Sequence, residues 1–345
     1  MTSTGEPRFR FVHLTDTHIM AGATWRPRAG NFEFDTEASL RRVVDAVRAL
    51  DPAPEFAVLG GDLASPDQID RERSLTPEAY EPSYRLLREI LAGLPCPAHF
   101  LVGNHDNRVA FHRVLKTGAA VPDAPHYYSF DHRGHHFVVL DSQEPGQAGG
   151  LLDAGQLGWL RRDLGANGEQ PTIVFVHHHP WALGLQWIDT MTLRNGEELT
   201  AALDEHPQVR WLICGHVHLD QAIQRGGLTI LSTPSTCVQL SKTSQTGKML
   251  PGPRPSASST SRVRGSRRAC YTFTAPARPI SDPRTGILPG VHDTLLSGMP
   301  ARGGEVSRAS RSGARCASGP YAPSVLNLTM SKFGLTSKSR GSVCE

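Results

Sequence analysis

What this 345-residue chain lacks narrows the question first. No stretch approaches the roughly 18 uninterrupted apolar residues of a membrane-crossing helix. The start, Met1-Thr2-Ser3-Thr4-Gly5-Glu6-Pro7, has no basic segment running into an apolar one, so no leader or membrane partner is expected and the expected address is cytoplasmic. Cysteine is scattered: Cys96, Cys214, Cys237, Cys270, Cys316 and Cys344 show no paired spacing, which argues against a zinc knuckle or a disulfide framework. They are read as reduced, with Cys214 and Cys237 as packing residues. Acidic side chains are scarce in one region only. Residues 241–345 hold 16 Lys and Arg against four acids, a net +12, whereas residues 1–240 hold 20 against 29, a net −9. Fifteen of the 16 histidines precede residue 219. Such a break marks a boundary near residue 240, and an acidic body lacks the electrostatic footprint of a nuclease or another nucleic-acid partner.

What is present before that boundary is a repeating strand, loop and helix. Phe9 to Leu14 reads as a first strand, and Thr36 to Leu50, with Leu40, Val43, Val44 and Val47 on one face, as a helix ended by Asp51-Pro52. Glu55 to Leu59 is a second strand, and a helix from about Pro77 to Ala92 leads to a third at Ala98 to Val102. After a short helix at Arg108 to Leu115, Tyr127 to Phe130 and His136 to Leu140 form a hairpin about His132-Arg133-Gly134. Helices at Ala154 to Leu164 and near Glu197 to Asp204 deliver the chain to strands at Thr172 to Val176 and Val209 to Cys214, and Leu228 to Leu231 is one more. Continuous apolar strands alternating with helices predict an α/β fold with largely parallel pairing in part of its sheet. The ligand end of such a sheet is the carboxyl end of its strands.

Polar residues gather there. Successive strands run into Asp16-Thr17-His18, Gly61-Asp62, Gly103-Asn104-His105-Asp106, His177-His178-His179 and Gly215-His216-Val217-His218. Singly, each has an ordinary structural role: a turn acid, an Asx turn, a satisfied core histidine. Together, two Asp, one Asn and four His at adjacent strand ends carry a desolvation and repulsion cost that a cation removes. Imidazole, carboxylate and amide without thiolate suit Zn, Mn, Fe or Ni rather than calcium. Seven ligands exceed one tetrahedral ion, and two ions about 3.5–4 Å apart sharing a carboxylate form a clamp for phosphoester hydrolysis.

These motifs resemble the full series of the calcineurin-like metallophosphoesterases. Within that superfamily His177-His178-His179-Pro180, Leu193-Arg194-Asn195, Cys214-Gly215-His216-Val217-His218 and Thr233-Pro234-Ser235-Thr236-Cys237-Val238-Gln239 resemble the bacterial 3′,5′-cyclic-AMP phosphodiesterases, over about residues 8–239. The resemblance implies a four-layer αββα sandwich with two mixed sheets in residues 1–239. It implies two metal ions (Fe, Mn or Zn), with Asp16, His18 and His218 at the first, Asn104, His177 and His216 at the second, and Asp62 at both. A hydroxide held between the ions would be the nucleophile. His105 would be the catalytic residue, as a general acid or a donor to the phosphoryl oxygens. His18, Asp62, Asn104, His105 and His218, with Arg194 and Asn195, would contact the substrate, a small phosphodiester. His178 and His179 would lie behind the ligands or in the pocket wall. Asp106 either orients His105 or caps the following helix, and Trp181 or Trp187 either stacks on a purine or covers the core. The expected reaction is 3′,5′-cyclic AMP to 5′-AMP; 2′,3′-cyclic nucleotides and glycerophosphodiesters are the rival substrates. A non-catalytic scaffold of this fold would be expected to lose ligands, and here the set is intact.

From Leu240 the resemblance stops. With 18 Ser and 16 basic residues in 105 positions, residues 240–345 read as a basic Ser/Arg/Pro/Gly-rich tail with little regular structure and few contacts with the body. A change of reading frame near residue 240 accounts for the shift better than a nucleic-acid-binding tail, which would carry repeated basic motifs interleaved with aromatics. The sheet holding Leu228 to Leu231 is then expected to keep an unpaired edge.

Overall fold

The computed structural model describes residues 8–26, 33–69, 74–119, 121–243, 245–250, 268–276, 324–331 and 334–337. All of them fall in one compact unit. No described helix is long and apolar enough to cross a membrane.

Two six-stranded sheets stack face to face. In the first, β1 (Arg8–Leu14) pairs in parallel with β2 (Phe56–Gly60), and β2 with β3 (Ala98–Leu101). In the second, β4 (Tyr128–His132) runs antiparallel to β5 (His135–Val139). From β5 the sheet continues in parallel through β6 (Thr172–Val176), β7 (Val209–Cys214) and β9 (Leu228–Ser232), and β8 (Gln221–Arg225) closes it antiparallel to β9.

Alternation along each strand explains the layering. Phe9 and Phe11 of β1 point toward the other sheet with Phe56, Val58, Phe137, Ile173 and Phe175, and rings Phe11 and Phe56 stack at 5.0 Å. Val12 and Leu14 point the opposite way, onto α1 (Thr36–Arg48), α2 (Pro77–Leu91) and α3 (Arg108–Leu115). On the far side of the second sheet, Val138, Val174 and Leu212 pack on α4 (Ala154–Ala166) and α6 (Gly196–Asp204). Helices, sheet, sheet and helices make the four-layer αββα sandwich. Each α1, α3 and α4 start is held by a side-chain cap, Asp35, Asn107 and Asp153 respectively.

The tail departs from its expectation in three places. Leu228 to Leu231 has no open edge, because Gln221–Arg225 folds back on it through the Gly226-Gly227 turn. The short pair β10 (Gln239–Leu240) and β11 (Met249–Leu250) packs on the 183–191 loop, where α5 (Gln186–Asp189) lies: Leu240 and Met249 join Leu185, Ile188 and Val217, and Gln245 Oε1 accepts from Gln186 N at 3.0 Å. Three further segments, β12 (Arg268–Pro276), β13 (Ser324–Ser331) and β14 (Gly334–Ser337), extend the first sheet beyond β1, with β12 antiparallel to it. The rest of residues 251–345 lies outside the described residues.

Candidate metal centre

The chain leaves β1, β2, β3, β6 and β7 at one end of the sandwich, and the polar residues meet there. The ends of β1 and β2 are tied by Asp16 N to Gly61 O (3.0 Å) and His18 N to Asp62 O (2.9 Å). Among the described residues seven that are not glycine have a left-handed backbone, and five of these are expected ligands: Asp16, His18, Asp62, His216 and His218. Such backbones are costly for residues with a Cβ, and they gather where the surrounding structure enforces a functional geometry. Gly103 and Gly215 allow the close approach: a Cβ at Gly103 would collide with the Asp62 carboxylate, and one at Gly215 with the Thr15 hydroxyl.

Six of the seven expected ligands fall in overlapping groups, and the seventh, Asn104, lies between Gly103 and His105, both of which abut Asp62. Asp16, His18 and His218 form one group, with His218 Nε2 3.2 Å from Asp16 Oδ1 and His18 Nε2 3.0 Å from His218 Nε2. Asp62 Oδ2 lies 3.8 Å from His18 Nε2 and 3.4 Å from His177 Nε2, the place of a shared carboxylate. The remaining donor atoms, Asn104 Oδ1 and His216 Nε2, are buried and have no hydrogen-bond partner among the described residues. Two orphaned donors of the right type, beside a buried carboxylate and its imidazoles, fit a cation.

The outer side of each imidazole is fixed. His177 Nδ1 donates to Gly60 O (2.8 Å), His218 Nδ1 to Val238 O (2.8 Å), and His18 Nδ1 pairs with Ser65 Oγ (2.7 Å). Two of these bonds set the proton on Nδ1 and leave the Nε2 lone pair toward the site. The segment Thr233 to Gln239 acts from behind: Ser235 Oγ donates to Asp16 O and accepts from the Cys237 and Val238 amides, so it braces two ligands of one group. Trp25 lies on His18 at 4.8 Å. Burial pushes His18 down to about 3 and His216 well below the usual imidazole range, which keeps both neutral. Burial also acts downward on His177, but the Asp62 carboxylate outweighs it and raises that ring to about 9. Burial pushes Asp62 up, but His177, with His105 and His18, outweighs it and holds the carboxylate well below its usual range.

His105 lies beside this cluster, its amide donating to Asp62 Oδ1 (2.8 Å) and its ring 5.3 Å from that of His18. Its Nδ1 bonds Asp67 Oδ2 at 2.7 Å, and the side chain stays a quarter exposed. Asp67 and Ser65 were not singled out by the sequence, although both fall within five residues of Asp62. Asp106 takes neither role foreseen for it. Its carboxylate accepts from Gly103, Leu63 and Ala64 amides and from Tyr84 Oη, stitching the β2 and β3 ends together, while Asn107 caps α3. His178 is spent on Ser142 and Ala148 O, and His179 is buried with its ring 5.7 Å from His216.

The expected substrate contacts at Arg194 and Asn195 fare differently. Both polar atoms of the Asn195 amide are committed to the Leu152 backbone, at 3.1 and 2.8 Å, so this side chain anchors its loop instead of facing a nucleotide. Arg194 is half exposed and ion-paired with Glu144. Trp181 packs against the outer core and Trp187 against the Leu185 and Leu240 cluster, so both cover apolar surface.

Comparison with known proteins agrees with this architecture. The family model for calcineurin-like phosphoesterase matches residues 9–220. The 3′,5′-cyclic adenosine monophosphate phosphodiesterase CpdA of Escherichia coli K12 is 33% identical over 235 residues, covering 68% of this chain and 78% of its own. The glycerophosphodiester phosphodiesterase GpdQ of Enterobacter lignolyticus is 28% identical, covering 66% of this chain and 78% of its own. Among solved structures, a dimetal phosphatase from Danio rerio superposes with a TM-score of 0.54 at 15% identity, covering 66% of this chain and 88% of that one, a likeness of fold. With strand ends, ligand cluster and sequence in agreement, the chain belongs to the calcineurin-like phosphoesterases.

Proposed function

We propose that this protein hydrolyses a small phosphodiester, 3′,5′-cyclic AMP to 5′-AMP, at a two-ion centre carried by residues 1–239. The observation that carries the reading is the pair of orphaned donors, Asn104 Oδ1 and His216 Nε2, in a cluster whose central carboxylate, Asp62, meets His177 Nε2 and accepts from the His105 amide. Asp16, His18 and His218 would hold one ion, Asn104, His177 and His216 the other, and Asp62 both. When bound, Fe, Mn or Zn ions supply Lewis-acid polarisation of the phosphoryl oxygens and activation of a water near neutral pH. The chain supplies the rest. His105, oriented through Nδ1 by Asp67, presents Nε2 to protonate the leaving oxygen. Burial of the cluster strengthens every charge interaction inside it.

The choice of cyclic AMP is supported by the relatives named as 3′,5′-cyclic-nucleotide phosphodiesterases. The test is a competition among cyclic AMP, 2′,3′-cyclic AMP and glycerophosphocholine on the metal-reconstituted full chain. Cyclic AMP is expected to turn over fastest. A clear preference for either rival moves the protein to the alternative substrate class while leaving the phosphodiesterase reading in place.

A further inference from the structure

The turn that carries Asn104 is clamped from outside the ligand cluster. It runs from Gly103 to Asp106 and is closed by Asp106 N donating to Gly103 O at 3.2 Å. Its inner side is tightly fitted: a Cβ at Gly103 would collide with the Asp62 carboxylate and the His177 ring, and the His105 amide donates to Asp62 Oδ1. On its outer side, the carbonyls at the two ends of the turn, Gly103 O and Asp106 O, are both met by one buried side-chain nitrogen, Gln143 Nε2, at 2.7 and 2.5 Å. Both partners can only accept, so the amide nitrogen has to face them, and each of its two N–H bonds serves one carbonyl.

Gln143 is itself held. Its backbone amide donates to Asp141 Oδ1 (2.9 Å), and its carbonyl accepts from Arg108 Nη2 (2.7 Å). Arg108, at the start of α3, also forks onto the buried Asp141 carboxylate with two bonds of 2.8 Å. The loop after β5 and the segment from Gly103 to Arg108 are thus locked at two points, one by the Gln143 side chain and the other by the Arg108 guanidinium. Between Asp141 and Gln143, Ser142 Oγ pairs with His178 Nδ1 at 2.8 Å, and the His178 ring lies 4.6 Å from that of His216. The 141–143 loop therefore stands behind Asn104, His177 and His216, as Ser235 stands behind the other group.

We infer that Gln143 is a positioning residue for the second ion: by bridging the two carbonyls that flank Asn104 and His105, it fixes where the turn presents Asn104 Oδ1. The inference rests on the two-ion reading above. It depends on two donors carried by one atom at this reach. Gln143→Met keeps the volume and loses both donors, whereas Gln143→Asn keeps the donors and holds them one methylene short of the turn.

The test is calorimetric titration of the metal-free full chain with Mn²⁺, read as two binding steps, for the unaltered chain, Gln143→Met, Asn104→Ala and the double variant. Gln143→Met is expected to weaken one step about tenfold and leave the other within about twofold, and the weakened step should be the one that Asn104→Ala weakens. Because Gln143 acts through Asn104, the double variant should bind Mn²⁺ within about twofold of Asn104→Ala alone. An additive loss in the double variant overturns the inference, as do equal weakening of both steps and two unchanged steps in Gln143→Met. If Gln143→Met does not fold, Gln143→Asn carries the same cycle, with a loss of about threefold expected in that one step. Failure of the unaltered chain to take up Mn²⁺ in two steps sinks the two-ion reading and the inference with it, whereas two intact steps with a failed cycle sink the inference alone.

Discussion

The two ligand groups solve the same burial problem in opposite ways. Asp16, His18 and His218 face one another, at 3.0 Å between the two imidazoles and 3.2 Å from His218 to the Asp16 carboxylate. In the other group His177 meets the Asp62 carboxylate, Nε2 to Oδ2 at 3.4 Å, whereas Asn104 Oδ1 and His216 Nε2 have no partner among the described residues. The carboxylates Asp16 and Asp62 thus each have an imidazole nitrogen against them. Asn104 and His216 have no such neighbour, and each unsatisfied buried atom costs about 1–3 kcal/mol. The contrast is between carboxylates partnered within the protein and two neutral donors that are not, with Asp62 the link between the groups.

Removing the link should have the largest effect. Asp62→Ala is expected to lower hydrolysis by at least about 10³-fold and to cost metal in both positions, because one carboxylate serves both groups. Metal analysis beside turnover checks this, and retention of a full complement of metal would show that the groups are independent.

The reacting side of the comparison comes next. His105→Ala is expected to cut kcat by about 10²–10³-fold with metal content nearly intact. Asp67→Asn keeps the size of its side chain but weakens the orienting bond, so a loss of about tenfold in kcat with KM unchanged is expected. A shift of KM with kcat intact would place Asp67 in substrate binding and not behind His105.

The candidate ligands were legible because each is an unusual polar residue just past an apolar strand, often preceded by glycine. The residues behind them were not. Ser65 and Asp67 lie in a loop that reads as an ordinary Pro-containing turn, and their roles exist only because that turn folds onto His18 and His105. Asp106 was visible but its partners, the Leu63 and Ala64 amides and Tyr84, are more than twenty residues away in sequence. Gln221–Arg225 has little apolar content and became a strand through its neighbour across the Gly-Gly turn. In the tail, overall composition hid short runs such as Tyr271-Thr272-Phe273-Thr274, whose aromatic and β-branched residues favour a strand. Asn195 shows the reverse error: a polar residue in a promising loop whose amide is consumed by backbone.

In protein stripped by a chelator the two groups should separate energetically. His218→Leu leaves the Asp16 carboxylate buried without its nearest imidazole and is expected to cost roughly 3 kcal/mol. His216→Leu removes an orphaned nitrogen, places similar volume on a similarly left-handed backbone, and is expected to cost less than about 1 kcal/mol. Urea unfolding of both variants without metal measures the difference. Equal costs would mean that pairing within the first group contributes nothing, and the contrast between the groups would fail.

The smallest effect comes from the same chemistry far from any ion. His136 on β5 is buried between two carboxylates, Nδ1 at 2.7 Å from Asp131 and Nε2 at 2.7 Å from Asp163. Burial pushes this imidazole down, but Asp163 and Asp131 outweigh it and hold it above its ordinary value. With both nitrogens facing carboxylates, the folded state prefers the doubly protonated ring. Its contribution is therefore complete below about pH 6.5, the unfolded value, and is lost as pH rises through the higher folded value. Asp131 is largely exposed, so solvent screens one of the two pairs and the total should stay under about 1 kcal/mol. Urea midpoints at pH 6 and pH 9 for the unaltered chain and for His136→Gln isolate it, since every other titration is common to both. The unaltered chain should lose more stability over that interval than the variant. If the two fall in parallel, the His136 bridges contribute no proton-linked stability.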